Sequence, residues 1–159
     1  MPKSFHPIVL LNTIGKLIDK VIGGRLQFLI INNNFIYSNQ LGGLKFKSTI
    51  NAGVTLTYII CLGWSSNCLT STLAFNITQF FLFLNHYFLT RIIHKAELNN
   101  RIVNFFGNYL YDRKTSYKWN SFLSPIININ VGVGQGSALP LILSALYLSP
   151  FLYILEKHL

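Results

Sequence analysis

The feature that most constrains the fold of this chain is the segment Ser71–His86, with the sequence STLAFNITQFFLFLNH. Its short apolar run Leu73–Phe75 predicts a buried β-strand. Asn76 stands where that strand would end, and two aromatic residues, Phe80 and Phe81, follow before a helical pattern begins. The segment therefore predicts a strand followed by a helix, with a polar side chain at the end of the strand. A strand and helix of any α/β protein would give the same pattern.

The composition indicates a folded, strongly basic domain. The chain has 159 residues, of which 51% are hydrophobic, enough for a single domain with a core of its own. Thirteen lysines and arginines against four acids give a formal charge of +9, which favours nucleic acid or an anionic membrane surface as a partner. Catalysis by hard metal ions needs clustered carboxylates, and the four acids are scattered through predicted helices and helix ends, so we predict no metal site. These acids are Asp19, Glu97, Asp112 and Glu156.

Most of the remaining chain predicts helices. Apolar residues recur at helical spacing from Leu10 to Ile22 and predict the buried face of a first helix, which the asparagines at 32–34 should end. On this reading Lys16, Asp19 and Lys20 lie on the opposite, solvated face. Further helices are predicted over 50–64, 84–96 and 101–110, with a charged turn over 111–114. The segment 115–131 alternates as two strands with a turn near residues 120–121. The sequence therefore predicts an α+β fold.

Two glycine-containing segments are candidates for binding phosphates or nucleotides. The first, NQLGGLKFKST at 39–49, combines glycines that allow close backbone approach with Lys45 and Lys47, whose charges suit phosphates. The second, GVGQGSALPLIL at 132–143, predicts a glycine loop that opens a helix, with Pro140 tolerated near the helix start. Each pattern, taken alone, also occurs in ordinary loops.

Taken in order, these motifs resemble the reverse transcriptase domain of non-LTR (LINE-type, fungal Tad-like) retrotransposons. The segment 71–86 resembles motif A of that domain, LLNTIGKLIDK at 10–20 a helix of its fingers, 39–49 its fingers loop, and 132–143 its motif B. His6-Pro7-Ile8 resembles the family's Arg-Pro-Ile, with His in place of Arg. The resemblance implies a partial right-hand polymerase, with fingers over about 1–70 and an incomplete palm over 71–159.

The resemblance also implies roles for single residues. Asn76 occupies the position of the metal-binding aspartate, and Phe81 that of the steric gate against a ribose 2′-OH. Gln135 and Gly136 correspond to the loop that faces the nucleotide. Lys45 and Lys47 correspond to the fingers segment that meets the template and the incoming triphosphate.

The function implied is that of an RNA-directed DNA polymerase fragment, with an RNA template and a DNA primer as partners. The intact family uses Mg²⁺, but this sequence has Asn at position 76 and contains no Asp-Asp pair, which motif C would supply after residue 155. We therefore expect no cofactor and no polymerase activity. With the motif C hairpin missing, we also expect uncovered apolar surface and self-association.

Two alternatives remain open at this stage. The basic fingers could serve as a non-specific RNA-binding module. The 17 uncharged residues from 139 to 155 could instead cross a membrane, although Ser144, Ser149 and Pro150 interrupt them. The N-terminal sequence MPKSFHPIVLL has no signal-peptide pattern. Cys61 and Cys68 are expected to be free thiols, buried or half-buried, in an intracellular protein.

Overall fold

The computed structural model describes residues 8–136 and 138–158, so that His6 lies outside the described residues. The helices are α1 (Thr13–Asn32), α2 (Thr49–Ser65), a 3-10 helix (Phe80–Leu82), α3 (His86–Lys95), α4 (Asn100–Leu110) and α5 (Ala138–His158). The strands are β1 (Arg113–Thr115), β2 (Lys118–Trp119), β3 (Phe122–Leu123) and β4 (Ile127–Ile129). Every helix predicted from the sequence is present, within a few residues of its expected ends.

Helices α1 to α4 begin at polar side chains that bind free backbone N–H groups. The side chain of Asn12 accepts a hydrogen bond from the N–H of Gly15 at the start of α1. Ser48, Asn85 and Asn99 do the same for α2, α3 and α4. Such caps are worth about 1 kcal/mol each and lie within three residues of the group they bind. The starts of these four helices are therefore encoded locally.

The strands form one interrupted antiparallel hairpin. β1 pairs with β4 and β2 pairs with β3, with Trp119 opposite Phe122. The tight turn lies at residues 120–121, as predicted, and Asn120 adopts the positive φ of 52° that such turns need. Most of these strand residues are exposed, so the hairpin contributes little to the core.

Helix α5 is at the centre of the hydrophobic core, where it packs against α1 and α3. Gly23 of α1 allows the close approach of α5, because an added Cβ there would lie 3.3 Å from Cδ1 of Ile142. Pro140 is in the first turn of α5 and removes no helical hydrogen bond, as expected. The largest fully buried side chains of the core are Phe106, Leu26, Ile30, Leu84, Leu89, Ile93, Leu139, Leu143, Leu146, Val133 and Pro140.

The prediction of the buried face of α1 was wrong. Ile14, Leu17, Ile18 and Val21 are exposed, whereas the buried stripe is Asp19, Gly23, Leu26 and Ile30. The stripe that includes Gly23 faces α5, where the missing side chain leaves room for Ile142 and lets the two helices pack closely. Asp19, expected in solvent, is 4% exposed, and its Oδ2 accepts a hydrogen bond from the N–H of Leu139 at 3.4 Å, in the first turn of α5. Lys16 and Lys20 are exposed, as predicted.

The prediction of a buried strand at Leu73–Phe75 was also wrong. Residues 69–77 form no helix or strand, and Leu73 and Phe75 are 76% and 81% exposed. A strand is stable only when its backbone groups pair with a neighbour. Among the described residues, the strands pair only within 113–129, so this apolar run has no sheet to join.

Much of the apolar surface is exposed. Helix α2 buries none of its residues, although Val54, Ile59 and Trp64 are apolar and the helix carries no charge. Cys61 and Cys68 are free, as predicted, but exposed rather than buried. The accessible surface of 12244 Å² compares with about 8,100 Å² for a compact monomer of this mass.

Candidate functional site

Residues 81–85 and the glycine loop 131–136, about 50 residues apart in sequence, are joined by backbone hydrogen bonds. The N–H of Gly132 donates to the carbonyl of Leu84 at 2.7 Å, and the N–H of Val133 donates to the carbonyl of Phe81 at 2.8 Å. Asn85 and Val131 form an antiparallel bridge beside them. The loop 131–136 is therefore fixed against residues 81–85.

Two glycines of this loop are required by close backbone approach. Gly132 has φ = +86°, and a Cβ there would lie 2.7 Å from the carbonyl oxygen of Leu82. Gly136 has φ = +135°, and a Cβ there would lie 2.7 Å from the carbonyl oxygen of Val9. The N–H of Val9 also donates to the carbonyl of Gln135 at 2.6 Å. The loop is thus held between residues 8–9 on one side and 81–85 on the other.

We call this contact between the loop 131–136 and residues 81–85 the joint. His86 adds a side-chain hydrogen bond to it. Its ring is buried, and Nε2 lies 2.7 Å from the carbonyl oxygen of Gly132. A carbonyl oxygen only accepts, so Nε2 carries the hydrogen and donates. The sequence reasoning noted His86 only as the start of a helix. Its position directly after an aromatic run and a capping asparagine was the available signal.

The joint places three of the predicted site residues around one pocket. Phe81, Gln135 and Gly136 line a cavity of about 560 Å³ at the start of α5. The remaining lining residues are Ala138, Pro140 and Leu141. The volume lies within the range of small-molecule sites. Among the residues that the structure describes, the walls carry no charged side chain, so any phosphate of a bound ligand would need charge from neighbouring segments.

Lys45 and Lys47 lie on an exposed loop and do not line this pocket. Lys47 Nζ donates to the carbonyl of Ser38 at 2.7 Å, and Lys45 Nζ lies 5.1 Å from the ring centroid of Phe46. The loop approaches the pocket at Gly43, where a Cβ would lie 3.6 Å from the carbonyl oxygen of Leu141. Lys45 is exposed and Lys47 is half-buried, so the loop carries two positive charges near one wall of the pocket.

Phe46, between these lysines, is a feature that the sequence reasoning missed. Its side chain is 90% exposed, and its φ of +65° is rare for a bulky residue. An exposed aromatic ring beside two cations is the combination with which proteins hold single-stranded nucleic acid. The pattern Lys-Phe-Lys after a glycine pair was the signal in the sequence.

Gln40, which belongs to the same motif, has a structural role. It is buried, its Nε2 donates to the carbonyl of Ala145 at 3.2 Å, and its Oε1 accepts from Ser149 Oγ at 2.9 Å. These bonds hold the start of the loop 39–49, which carries Lys45 and Lys47, against α5. They also explain why Ser149 is tolerated inside an apolar helix.

The residues present do not fit the Mg²⁺ that the resemblance implies. Mg²⁺ in nucleotide-transfer sites is held by carboxylates. Asn76 offers one neutral oxygen, is exposed in the unpaired segment 69–77, and does not line the pocket with Phe81. Asp19 is bound to α5 and Asp112 is paired with Lys114 at 2.9 Å. Within 8–136 and 138–158, no three His, Cys, Asp or Glu side chains form a group that could hold a metal ion.

Comparison of the chain with family models, with curated proteins and with solved structures gives no match.

Proposed function

We propose that this chain is a reverse-transcriptase-type domain, comprising fingers and part of the palm, that binds nucleic acid without extending it. The observation that carries the proposal is the pocket of Phe81, Gln135 and Gly136. These residues come from the two segments that resemble motifs A and B, and hydrogen bonds join those segments beside the pocket. In the resembled family the same positions face the incoming nucleotide.

Electrostatics supports binding of a polyanion. The chain carries a formal charge of +9, and Lys45 and Lys47 lie on an exposed loop beside the pocket wall. A protein that neutralises phosphates releases condensed counterions, so its affinity falls steeply with salt. The exposed ring of Phe46 adds a surface on which a base could stack without regard to sequence.

The distribution of carboxylates argues against nucleotidyl transfer. Two divalent ions about 4 Å apart repel each other strongly and need several anionic oxygens between them. Asn76 is neutral, and the four acids are spread over the fold: Asp19 and Glu156 lie on α1 and α5, and Glu97 and Asp112 lie in the turns after α3 and α4. The proposal is therefore binding without polymerisation.

The test is fluorescence anisotropy of a labelled single-stranded RNA at several salt concentrations. We expect weak binding without sequence preference that falls steeply with salt, and about tenfold weaker binding for the Lys45→Glu/Lys47→Glu variant. The matched control is Lys16→Glu/Lys20→Glu on the exposed face of α1, which changes the net charge equally. Salt-insensitive binding, no binding at low ionic strength, or an equal loss in both variants would contradict a binding surface at this loop.

A membrane protein is the second candidate, because of α5. In the described part of the chain, this helix is long and apolar enough to cross a membrane. However, 44% of its apolar window is buried in the protein, and Asp19 and Gln40 bind its backbone. A helix that serves as the core of a domain needs no bilayer. Extraction of the expressed chain from cell membranes by alkaline carbonate is expected, and resistance to extraction would favour the membrane alternative.

A further inference from the structure

A second pocket lies between α1 and the start of α4 and shares no lining residue with the pocket at the glycine loop. Its volume is about 640 Å³. Arg25, Arg101 and Asn99 supply its polar groups, while Phe28 and Ile102 are among its apolar residues. We call it the α1/α4 pocket. Neither the motifs nor the resemblance assign a role to it.

The polar groups of the α1/α4 pocket are hydrogen-bond donors. Arg25 and Arg101 are exposed, and within 8–136 and 138–158 the one ion pair joins Lys114 to Asp112, so no carboxylate neutralises either arginine. Oδ1 of Asn99 accepts from the N–H of Arg101 at 2.9 Å, which leaves the amide Nδ2 as a donor. Two guanidinium groups and one amide donor are suited to the oxygens of a phosphate.

The other half of the pocket is apolar and includes an aromatic ring. Phe28 is 64% exposed and lies one helical turn from Arg25 on α1. Space remains open at Gly24, where an added Cβ would meet nothing within 4 Å. An open cavity with an exposed ring on one side and cations on the other can hold a flat apolar group that carries a phosphate. A nucleotide has that chemistry.

We propose that the α1/α4 pocket binds one nucleotide of a single-stranded nucleic acid, with the phosphate on Arg25 and Arg101 and the base against Phe28. This inference rests on the proposed function, to which it adds a second contact on the strand. The ring favours a nucleotide over an acidic peptide, because carboxylates alone would leave the ring and the aliphatic wall uncovered. Aromatic–base stacking is the usual sequence-independent contact to single strands.

The first experiment fills the pocket without changing its charge. Gly24→Leu places a side chain in the open space and replaces glycine by a better helix former, so α1 should remain folded. With a labelled oligouridylate RNA in the anisotropy assay, we expect about tenfold weaker binding by this variant and by Phe28→Ala. Binding equal to wild type by the Gly24→Leu variant, with an unchanged circular dichroism spectrum, would overturn the proposal.

The second experiment tests the arginines against a matched control. Arg25→Gln/Arg101→Gln should weaken binding about tenfold and reduce the magnitude of the log–log salt slope by about 1.4, or about 0.7 for each lost phosphate contact. Arg91→Gln/Lys95→Gln removes two exposed charges from α3, outside the pocket, and should change affinity by less than threefold. Equal losses in the two double variants would overturn the proposal.

The outcomes separate this inference from the proposed function. If changing Lys45 and Lys47 weakens RNA binding but the pocket variants do not, the proposed function stands and the α1/α4 pocket is not part of the surface. If wild-type protein binds no RNA at low salt, both proposals fall. Binding of a labelled polyglutamate peptide in place of RNA, lost in Gly24→Leu, would assign the pocket to an acidic protein partner instead.

Discussion

Replacing Gly132 by alanine tests the joint between residues 81–85 and the glycine loop 131–136. Gly132 has φ = +86°, its N–H donates to the carbonyl of Leu84, and its own carbonyl accepts from His86. An added Cβ would lie 2.7 Å from the carbonyl oxygen of Leu82 and 3.1 Å from its Cα. These are backbone atoms, so rotation of a side chain cannot relieve the contact.

The expected loss of local stability is large. A left-handed backbone costs a residue with a Cβ about 1–2 kcal/mol. Relief of the contact requires the two segments to separate, which weakens the hydrogen bonds at Gly132 and Val133, each worth about 1 kcal/mol net. We therefore expect the Gly132→Ala variant to lose about 3 kcal/mol from the free energy of opening this joint.

The assay is amide hydrogen exchange of the peptides that cover 81–86 and 131–136. A loss of about 3 kcal/mol corresponds to exchange about 100-fold faster when reclosing outpaces exchange. The control is Gly107→Ala within α4, where an added Cβ meets nothing within 4 Å. That variant should leave exchange at the joint unchanged and stabilise α4 by about 1 kcal/mol.

The reasoning would be refuted if the amides of residues 132 and 133 in Gly132→Ala exchanged within threefold of the wild-type rates. Such a result would mean that the loop tolerates a side chain at this position. The close approach of Gly132 to Leu82, beside the pocket of Phe81, Gln135 and Gly136, would then be absent in solution.

Three further predictions follow from the same geometry. The chain should extend no primed RNA template with Mg²⁺ or Mn²⁺. Asn76→Asp alone should restore no polymerase activity, because one carboxylate cannot hold two metal ions. Primer extension by the unmodified chain, abolished by mutating Asn76, would contradict this. Sedimentation velocity should show self-association, since the excess accessible surface exceeds the roughly 800 Å² per partner of a standard interface; a monodisperse monomer with a sharp melt would oppose it. Asp19→Ala should lower the free energy of unfolding by about 1 kcal/mol, because the variant loses the hydrogen bond from the N–H of Leu139. Asp19→Asn should lose less. Equal urea midpoints for the two variants would contradict a capping role for Asp19 at the start of α5.

Local sequence determined the helices, the starts of α1 to α4 and the hairpin turn. Asn12, Ser48, Asn85 and Asn99 each bind an N–H two or three residues ahead, and Asn120 adopts the positive φ of a tight turn. These interactions involve only neighbours in the chain, so a pattern of a few residues is sufficient to predict them.

The pocket at the glycine loop could be predicted only in part. The sequence indicated that 132–143 would form a loop opening a helix, and the structure has that arrangement. The contact with Phe81 depends on hydrogen bonds between segments about 50 residues apart. Periodicity and composition carry no information about such pairing, and only the resemblance associated these residues before the structure was known.

Tertiary structure alone decided which apolar residues are buried. The stripe from Ile14 to Val21 and the run Leu73–Phe75 are as hydrophobic as the core, yet they are exposed, while Asp19 is buried. The physical reason is that burial and strand pairing require a surface supplied by another part of the chain. Helix α5 offers that surface only to the side of α1 that contains Gly23, where the two helices can approach closely.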